Sequence, residues 1–297
     1  MRIAFAGVAH SHPFADAANL AQRGARAVGV WDADDPARRE EFAARFGVAR
    51  FPALGGLLAE RPDVVVATPR TPRAVEVAHT CAEAGIPVFF NKTVAADAAG
   101  LARWEALPEA PRFTSSVLRF APELQRFAAA LEGGALRALQ VHAQHDIAGF
   151  LVGDRTWQDD PAGAGGTLMN VGVHAWEMLD ALLPAGRAEV LSASRVRGAS
   201  PTASELLGVV HARVGPVPVT LTISGVGGPD RYAVRAWTDE GSRELVLPDD
   251  PDGLGYGATA DAVLALARGE LPVDPARTSA VYRNAVAAAE AARGAGG

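Results

Sequence analysis

The sequence predicts an α/β protein with two domains: a doubly wound parallel sheet in residues 1-119, then an α+β domain with an open, mostly antiparallel sheet in residues 120-297. Three observations carry this. Apolar runs alternate with helical segments through the first 90 residues, as in strand-helix-strand units. Val64-Val65-Val66-Ala67 is an unbroken, largely β-branched run, the pattern of a parallel strand covered on both faces. Beyond residue 112 the alternation gives way to successive strand-like runs separated by Gly, Pro and Asp turns.

Residues 2–8 read as the first strand, 13–23 as a helix and 27–31 as the second strand, a unit of about 30 residues. Asp34-Asp35-Pro36 opens a helix that runs to Phe46 and stops at Gly47, as the preferences of helix ends require. A short helix over 54–60, the strand at 63–68, a helix over 72–84 stopped by Gly85, and a strand at 87–90 running into Asn91-Lys92 complete the alternation. Residues 112–120 predict the last strand of the first domain and 122–131 the helix that crosses over. The second domain is predicted to hold strands at 136–147, 188–196, 205–214, 217–224, 231–238 and 242–247. Helices over 167–183, 257–268 and 275–293 are expected to cover one face of its sheet. The other face is expected to meet a second subunit, giving a homodimer or homotetramer.

Composition narrows the function classes. A net charge of −6 and a pI near 5.7 oppose binding to nucleic acid or to an anionic membrane surface. No apolar run reaches the roughly 18 residues of a membrane helix, and Met1 to His10 is apolar too briefly for a signal peptide. The single cysteine, Cys81, cannot form an internal disulfide, and a cytoplasmic location is expected. Of 28 Lys and Arg residues, all are arginine except Lys92. Guanidinium stays charged whereas an ammonium can lose its proton on burial, so proton traffic or a single-point hydrogen bond calls for lysine; the alternative is a chance survivor of a bias toward arginine.

The first turn, Gly7-Val8-Ala9-His10-Ser11-His12-Pro13, keeps one glycine of the G-x-G-x-x-G dinucleotide fingerprint, with Ala9 and His12 in place of the others. Pro13 suits the first helical position, so amides near His10, Ser11 and His12 can face an anion. Asp32 follows Gly7 by 25 residues, where an acid holds ribose hydroxyls. It favours NAD(H) by repelling a 2′-phosphate, while Arg38 and Arg39 keep NADP(H) open. The alternative for Asp32 is an acid that caps a loop. His10 and His12 lack a third ligand nearby, so no metal is expected. Trp157, ahead of a glycine-rich segment, is a candidate for the substrate pocket or a packed loop residue.

Val65-Val66-Ala67-Thr68-Pro69, then Ala82-Glu83-Ala84-Gly85-Ile86-Pro87-Val88-Phe89-Phe90-Asn91-Lys92-Thr93, resembles the "ATP…EAGkhVlxEKP" signature of the glucose-fructose oxidoreductase/inositol dehydrogenase (Gfo/Idh/MocA) family. Gly165-Gly166-Thr167-Leu168-Met169-Asn170-Val171-Gly172-Val173-His174 resembles its "GGgxlxDxGxH" block. Arg119-Phe120-Ala121-Pro122 is similar to its domain junction, and Gly228 to Tyr232 with Glu240-Gly241-Ser242 to its late sheet. The likeness runs over essentially the whole chain. It implies a Rossmann-type first domain and NAD(P)-dependent hydride transfer to or from a sugar, cyclitol or related polyol. By the same likeness Lys92 binds the reacting oxygen, His174 is the acid or base, and Asn170 stands where the family has Asp. Thr68, Pro69 and Asn91 join Gly7, Ala9, His10, Ser11, His12 and Asp32 as expected cofactor contacts.

The chemistry agrees with these residue types. Oxidising a carbinol requires removal of the hydroxyl proton, histidine titrates nearest neutrality, and an ammonium stabilises a developing alkoxide. Asn170 and His174 are four apart and are predicted to share one helix face. Asn91 for Glu, Thr93 for Pro and Asn170 for Asp depart from the family pattern. They admit a second reading, a catalytically degenerate nucleotide- or sugar-binding regulatory protein, and a third, a lyase or hydrolase that uses NAD transiently.

Overall fold

A computed structural model describes residues 1–132, 135–184, 187–197 and 202–294. The first domain is a six-stranded parallel sheet of β1 (Arg2–Val8), β2 (Arg26–Trp31), β3 (Ala49–Arg50), β4 (Val64–Thr68), β5 (Val88–Asn91) and β6 (Arg112–Ser115), in the order β3-β2-β1-β4-β5-β6. Helices α1 (His12–Gln22), α2 (Pro36–Phe46), α3 (Leu54–Leu58), α4 (Ala74–Glu83) and α5 (Ala98–Glu105) connect the strands. The order reverses at β1 and β4, and in such sheets ligands bind beyond the strands' carboxyl ends at that switch point.

Local chemistry sets these boundaries. All five residues of β4 are buried, as its apolar run predicts. Asp35 accepts from the Arg38 amide at the start of α2, Pro36 takes the first turn, and Gly47 closes it in the left-handed region at φ 64°. Asp97 caps α5, a helix absent from the expected elements, in the same way through the Gly100 amide at 2.7 Å. The strand expected over 112–120 stops at Ser115, because the Ser116 hydroxyl accepts from the Leu118 amide and turns the chain into a 3-10 segment.

The crossover helix α6 (Pro122–Leu131) leads to a mixed six-stranded sheet of β7 (Leu136–Gln144), β8 (Glu189–Val196), β9 (Leu207–Val214), β10 (Val217–Ser224), β11 (Arg231–Thr238) and β12 (Gly241–Val246), ordered β12-β11-β7-β10-β9-β8. Only β7 and β10 run parallel; every other pair in it is antiparallel. The helix expected over 167–183 is two, α7 (Thr167–Asn170) and α8 (Gly172–Leu182). They meet where Gly172 passes so close to Ile223 that a Cβ there would lie 3.3 Å from it.

Of the last two helices, α9 (Tyr256–Ala267) and α10 (Pro275–Gly294), the first differs from expectation in where it packs. Ala260, Val263 and Leu266 of α9 share a core with Ile3, Phe5, Phe14 and Val66, so α9 covers the first sheet rather than the second. Helix α10 contributes Val281, Tyr282 and Ala285 to the larger core that runs from β4 through α8 into the second sheet. The junction is tied by Arg119, which pairs with Glu177 and Asp180 of α8, while Arg277 reaches the same Asp180 at 2.8 Å. No helix among the described residues is long and apolar enough to cross a membrane.

Candidate active site

At the carboxyl edge of the first sheet, β1 ends in a turn that only glycine permits. Gly7 has φ 91°, and a Cβ on it would stand 2.4 Å from Pro69. Thr68 fixes the turn from β4: its hydroxyl donates to the Gly7 carbonyl at 2.7 Å and its carbonyl accepts from the Ala9 amide at 3.3 Å. Ser11 lies exposed at the mouth of α1, and no side chain caps that helix. One fingerprint glycine is thus kept for close approach.

A pocket of about 190 Å³ opens between this turn and the second domain. His10, Ser11, His12 and Lys92 line it from the first domain; His145, Arg155, Gln158, His174 and Asp230 line it from the second. Lys92 and His174, 82 positions apart, therefore meet at one cleft. A larger groove of about 750 Å³ lies elsewhere, along β6 and α10, and its Arg283 and Glu105 pair with each other at 2.8 Å.

Asn170 stands against Lys92. The Lys92 ammonium donates to the Asn170 carbonyl at 2.9 Å and to its side-chain oxygen at 3.0 Å. No carboxylate pairs with Lys92 among the described residues, and burial, with Arg155 adding repulsion, brings it down to about 7. Asn91, at the other family carboxylate position, donates instead to Asp16 of α1 at 2.9 Å, and burial pushes that acid up to about 7.

His174 is oriented by a residue that sequence reasoning missed: Ser116 Oγ lies 2.6 Å from its Nδ1, which leaves Nε2 for the pocket. His12 is held in the same way by Tyr256 at 2.7 Å, and His145 by Asp230 at 2.6 Å. Burial first, then the Lys92 charge, holds His10, His12 and His174 well below the usual histidine range. Among the described residues no cluster of His, Cys, Asp or Glu has metal-ligand geometry.

Two expectations take a different form. Asp32 sits at the end of β2, yet its carboxylate accepts from the amides of Val8, Asp34 and Asp35 at 2.6–2.9 Å and it is 3 % exposed. Capping the loop is thus what its hydrogen bonds do. Trp157 does not line the 190 Å³ pocket. It stands edge-on to His10 at 5.0 Å, with the Arg70 guanidinium over its ring at 5.9 Å, while Arg155 and Gln158 from the same segment reach the pocket.

The edge of the sheet fits a dinucleotide. His10 Nε2, Arg70 Nε, Thr71 Oγ1 and Asn91 Oδ1 are buried polar atoms with no partner, spread along the ends of β1, β4 and β5. Such atoms are normally satisfied, and an elongated ligand with donors and acceptors would satisfy them. The uncapped end of α1 suits an anion. Arg38 reaches back from α2 to the carbonyls of Val8 and His10 at 2.8 and 2.7 Å, which sets a guanidinium beside Asp32.

The fold and this edge define a two-domain protein with a dinucleotide-binding first domain. Residues 1–111 match the model of the Gfo/Idh/MocA family, described as "Oxidoreductase family, NAD-binding Rossmann fold". No curated protein sequence matches the chain. Among solved structures, GenD2 from gentamicin A biosynthesis in complex with NAD is similar at TM-score 0.85 and 19% identity, over 99% of this chain and 94% of that one. A myo-inositol dehydrogenase from Corynebacterium glutamicum is similar at TM-score 0.82 and 17% identity, over 99% and 97%. The WlbA dehydrogenase from Bordetella pertussis, in complex with NADH and UDP-GlcNAcA, gives 0.78 and 19% over 96% and 95%. At these identities the likeness establishes the fold over both domains.

Proposed function

We propose that the chain is an NAD(P)-dependent oxidoreductase that moves hydride between nicotinamide and a hydroxyl or keto carbon of a small sugar or polyol. The observation that carries this is the meeting of Lys92 and His174 at one pocket beside the dinucleotide edge. Nicotinamide supplies the hydride acceptor or donor; the remaining work falls to the chain. His10 to His12, Thr68-Pro69, Arg70 and Asn91 would hold the dinucleotide.

A proton must leave the substrate hydroxyl, and it goes to the stronger base in the pocket. With Lys92 near 7 and His174 well below its usual range, that base is Lys92. His174, fixed by Ser116, hydrogen-bonds the same oxygen through Nε2. This reverses the roles that the family resemblance implies, and the reason is the missing carboxylate at Asn170. A pocket of about 190 Å³ suits a single sugar better than a nucleotide sugar. Asp32 argues for NAD(H); the guanidinium groups of Arg38 and Arg39 beside it argue for NADP(H).

Reduction of NAD+ or NADP+ followed at 340 nm with a panel of sugars and polyols tests the reading. Turnover that falls at least a thousandfold in Lys92→Ala supports it, and bound cofactor with no turnover on any substrate opposes it. That second outcome favours a binding protein, the reading that the absence of a carboxylate at Lys92 supports. We further propose a homodimer or homotetramer joined through the open face of the second sheet, where Gln140, Thr220 and Trp237 border a shallow groove. Light scattering on the eluting protein checks the mass.

A further inference from the structure

Charge in the pocket is lopsided. Lys92, Arg155, His10, His12, His145 and His174 present cations or hydrogen-bond donors to it, against one carboxylate, Asp230. That carboxylate is already engaged by His145 Nδ1 at 2.6 Å and by the Asp146 amide at 3.1 Å. Neither Lys92 nor Arg155 has an ion-pair partner among the described residues, whereas Arg2, Arg23, Arg73, Arg119, Arg277 and others do. Building on the dehydrogenase reading above, we propose that the substrate is a small polyhydroxy carboxylate, a sugar acid, with its carboxylate on Arg155 and its reacting hydroxyl at Lys92 and His174.

The geometry at Arg155 suits this. Its guanidinium lies over the Phe150 ring at 4.9 Å, so one face is covered by an apolar surface, and with Gln158 on the Nε–Nη2 edge it is the Nη1–Nη2 end that can meet a planar carboxylate. Gln158, with its amide oxygen turned toward Arg155, accepts from Nε at 2.9 Å and steadies the fork. Arg155 comes from the second domain and Lys92 from the first, so each domain supplies one cation to the pocket lining. A pocket of about 190 Å³ is of the size of one sugar acid. An anion there also relieves the repulsion between Arg155 and Lys92. A neutral polyol offers no such relief.

Matched pairs separate this from the dehydrogenase reading. D-Gluconate against D-sorbitol, and D-glucuronate against D-glucose, are titrated calorimetrically at fixed ionic strength into the full chain with and without NAD(H) or NADP(H), and turnover is followed at 340 nm. Each acid is expected to bind at least tenfold more tightly than its neutral partner. In Arg155→Gln, a half-exposed position whose melting temperature checks the fold, the ratio is expected to fall to about twofold or less. Equal or tighter binding of the neutral members overturns the proposal, as does no binding of either acid, a preference that survives Arg155→Gln, or tighter binding of glucose 6-phosphate than of glucuronate. Selective acid binding with no hydride transfer in either direction leaves the substrate class standing and refutes the dehydrogenase. Oxidation of neutral polyols with no preference for acids does the reverse.

Discussion

Restoring a carboxylate next to the only lysine is the sharpest perturbation available. Asn170 Oδ1 lies 3.0 Å from Lys92 Nζ, so Asn170→Asp puts a unit negative charge against the ammonium. At that separation and an effective dielectric near 20 the attraction is about 5.5 kcal/mol. Desolvation of the new buried acid cancels part of it. At about 1.4 kcal/mol per pKa unit, a net shift of at least two units upward is expected. Because Lys92 is the sole lysine, protein labelled with 15N-lysine gives one Nζ resonance, and its titration is unambiguous. The parent is expected to titrate near 7 and Asn170→Asp at 9 or above. The oxidation rate at pH 7.5 then falls by more than tenfold, because the neutral amine that takes the proton is nearly gone. A parent midpoint near the ordinary value of about 10.4, or a midpoint that does not move in the variant, refutes the assignment of the proton to Lys92.

The same depressed lysine fixes a pH dependence of stability. Between about 7 and the unfolded value of about 10.4 the unfolded chain holds the proton and the folded chain does not, so stability rises with pH through that window. Chemical denaturation at pH 6.5 and 9 is expected to show a gain from this group of the order of 3 kcal/mol, and Lys92→Met is expected to lose the dependence. Arg119→Met leaves Glu177 and Asp180 facing each other without the guanidinium between them, and is expected to cost about 3–5 kcal/mol in denaturant titration. Ser116→Ala frees His174 and is expected to lower kcat about tenfold, the worth of one hydrogen bond to a neutral ring, with little change in KM; an unchanged kcat contradicts the positioning role.

Much of the first domain was legible because its signals are local. Asp35, Pro36 and Gly47 mark α2 by cap chemistry, and Val64 to Ala67 marks β4 by its apolar run. The Lys92 and His174 blocks were legible as motifs. The missed features are long-range or conditional. Ser116, Tyr256, Arg155 and the His145–Asp230 pair reach the site only through folding, and no spacing in the sequence ties them to it. Helix α9 shows which of its faces is apolar, but an apolar face does not name the sheet it covers, and it packs on the first sheet. Val171 sits in a helical pattern that continues past it, so the break between α7 and α8 carries no mark in the sequence. Asp32 reads equally as a ribose ligand or a loop cap until the amides of Val8, Asp34 and Asp35 are located around it.

Every catalytic role above presupposes a nicotinamide dinucleotide on the edge formed by β1, β4 and β5. Calorimetric titration of the full chain with NAD+, NADH, NADP+ and NADPH tests that directly. The account predicts one-to-one binding of at least one of them with a micromolar Kd, weakened at least tenfold by Arg70→Ala, whose Nε now has no partner. Absence of binding by all four at millimolar concentration would contradict it.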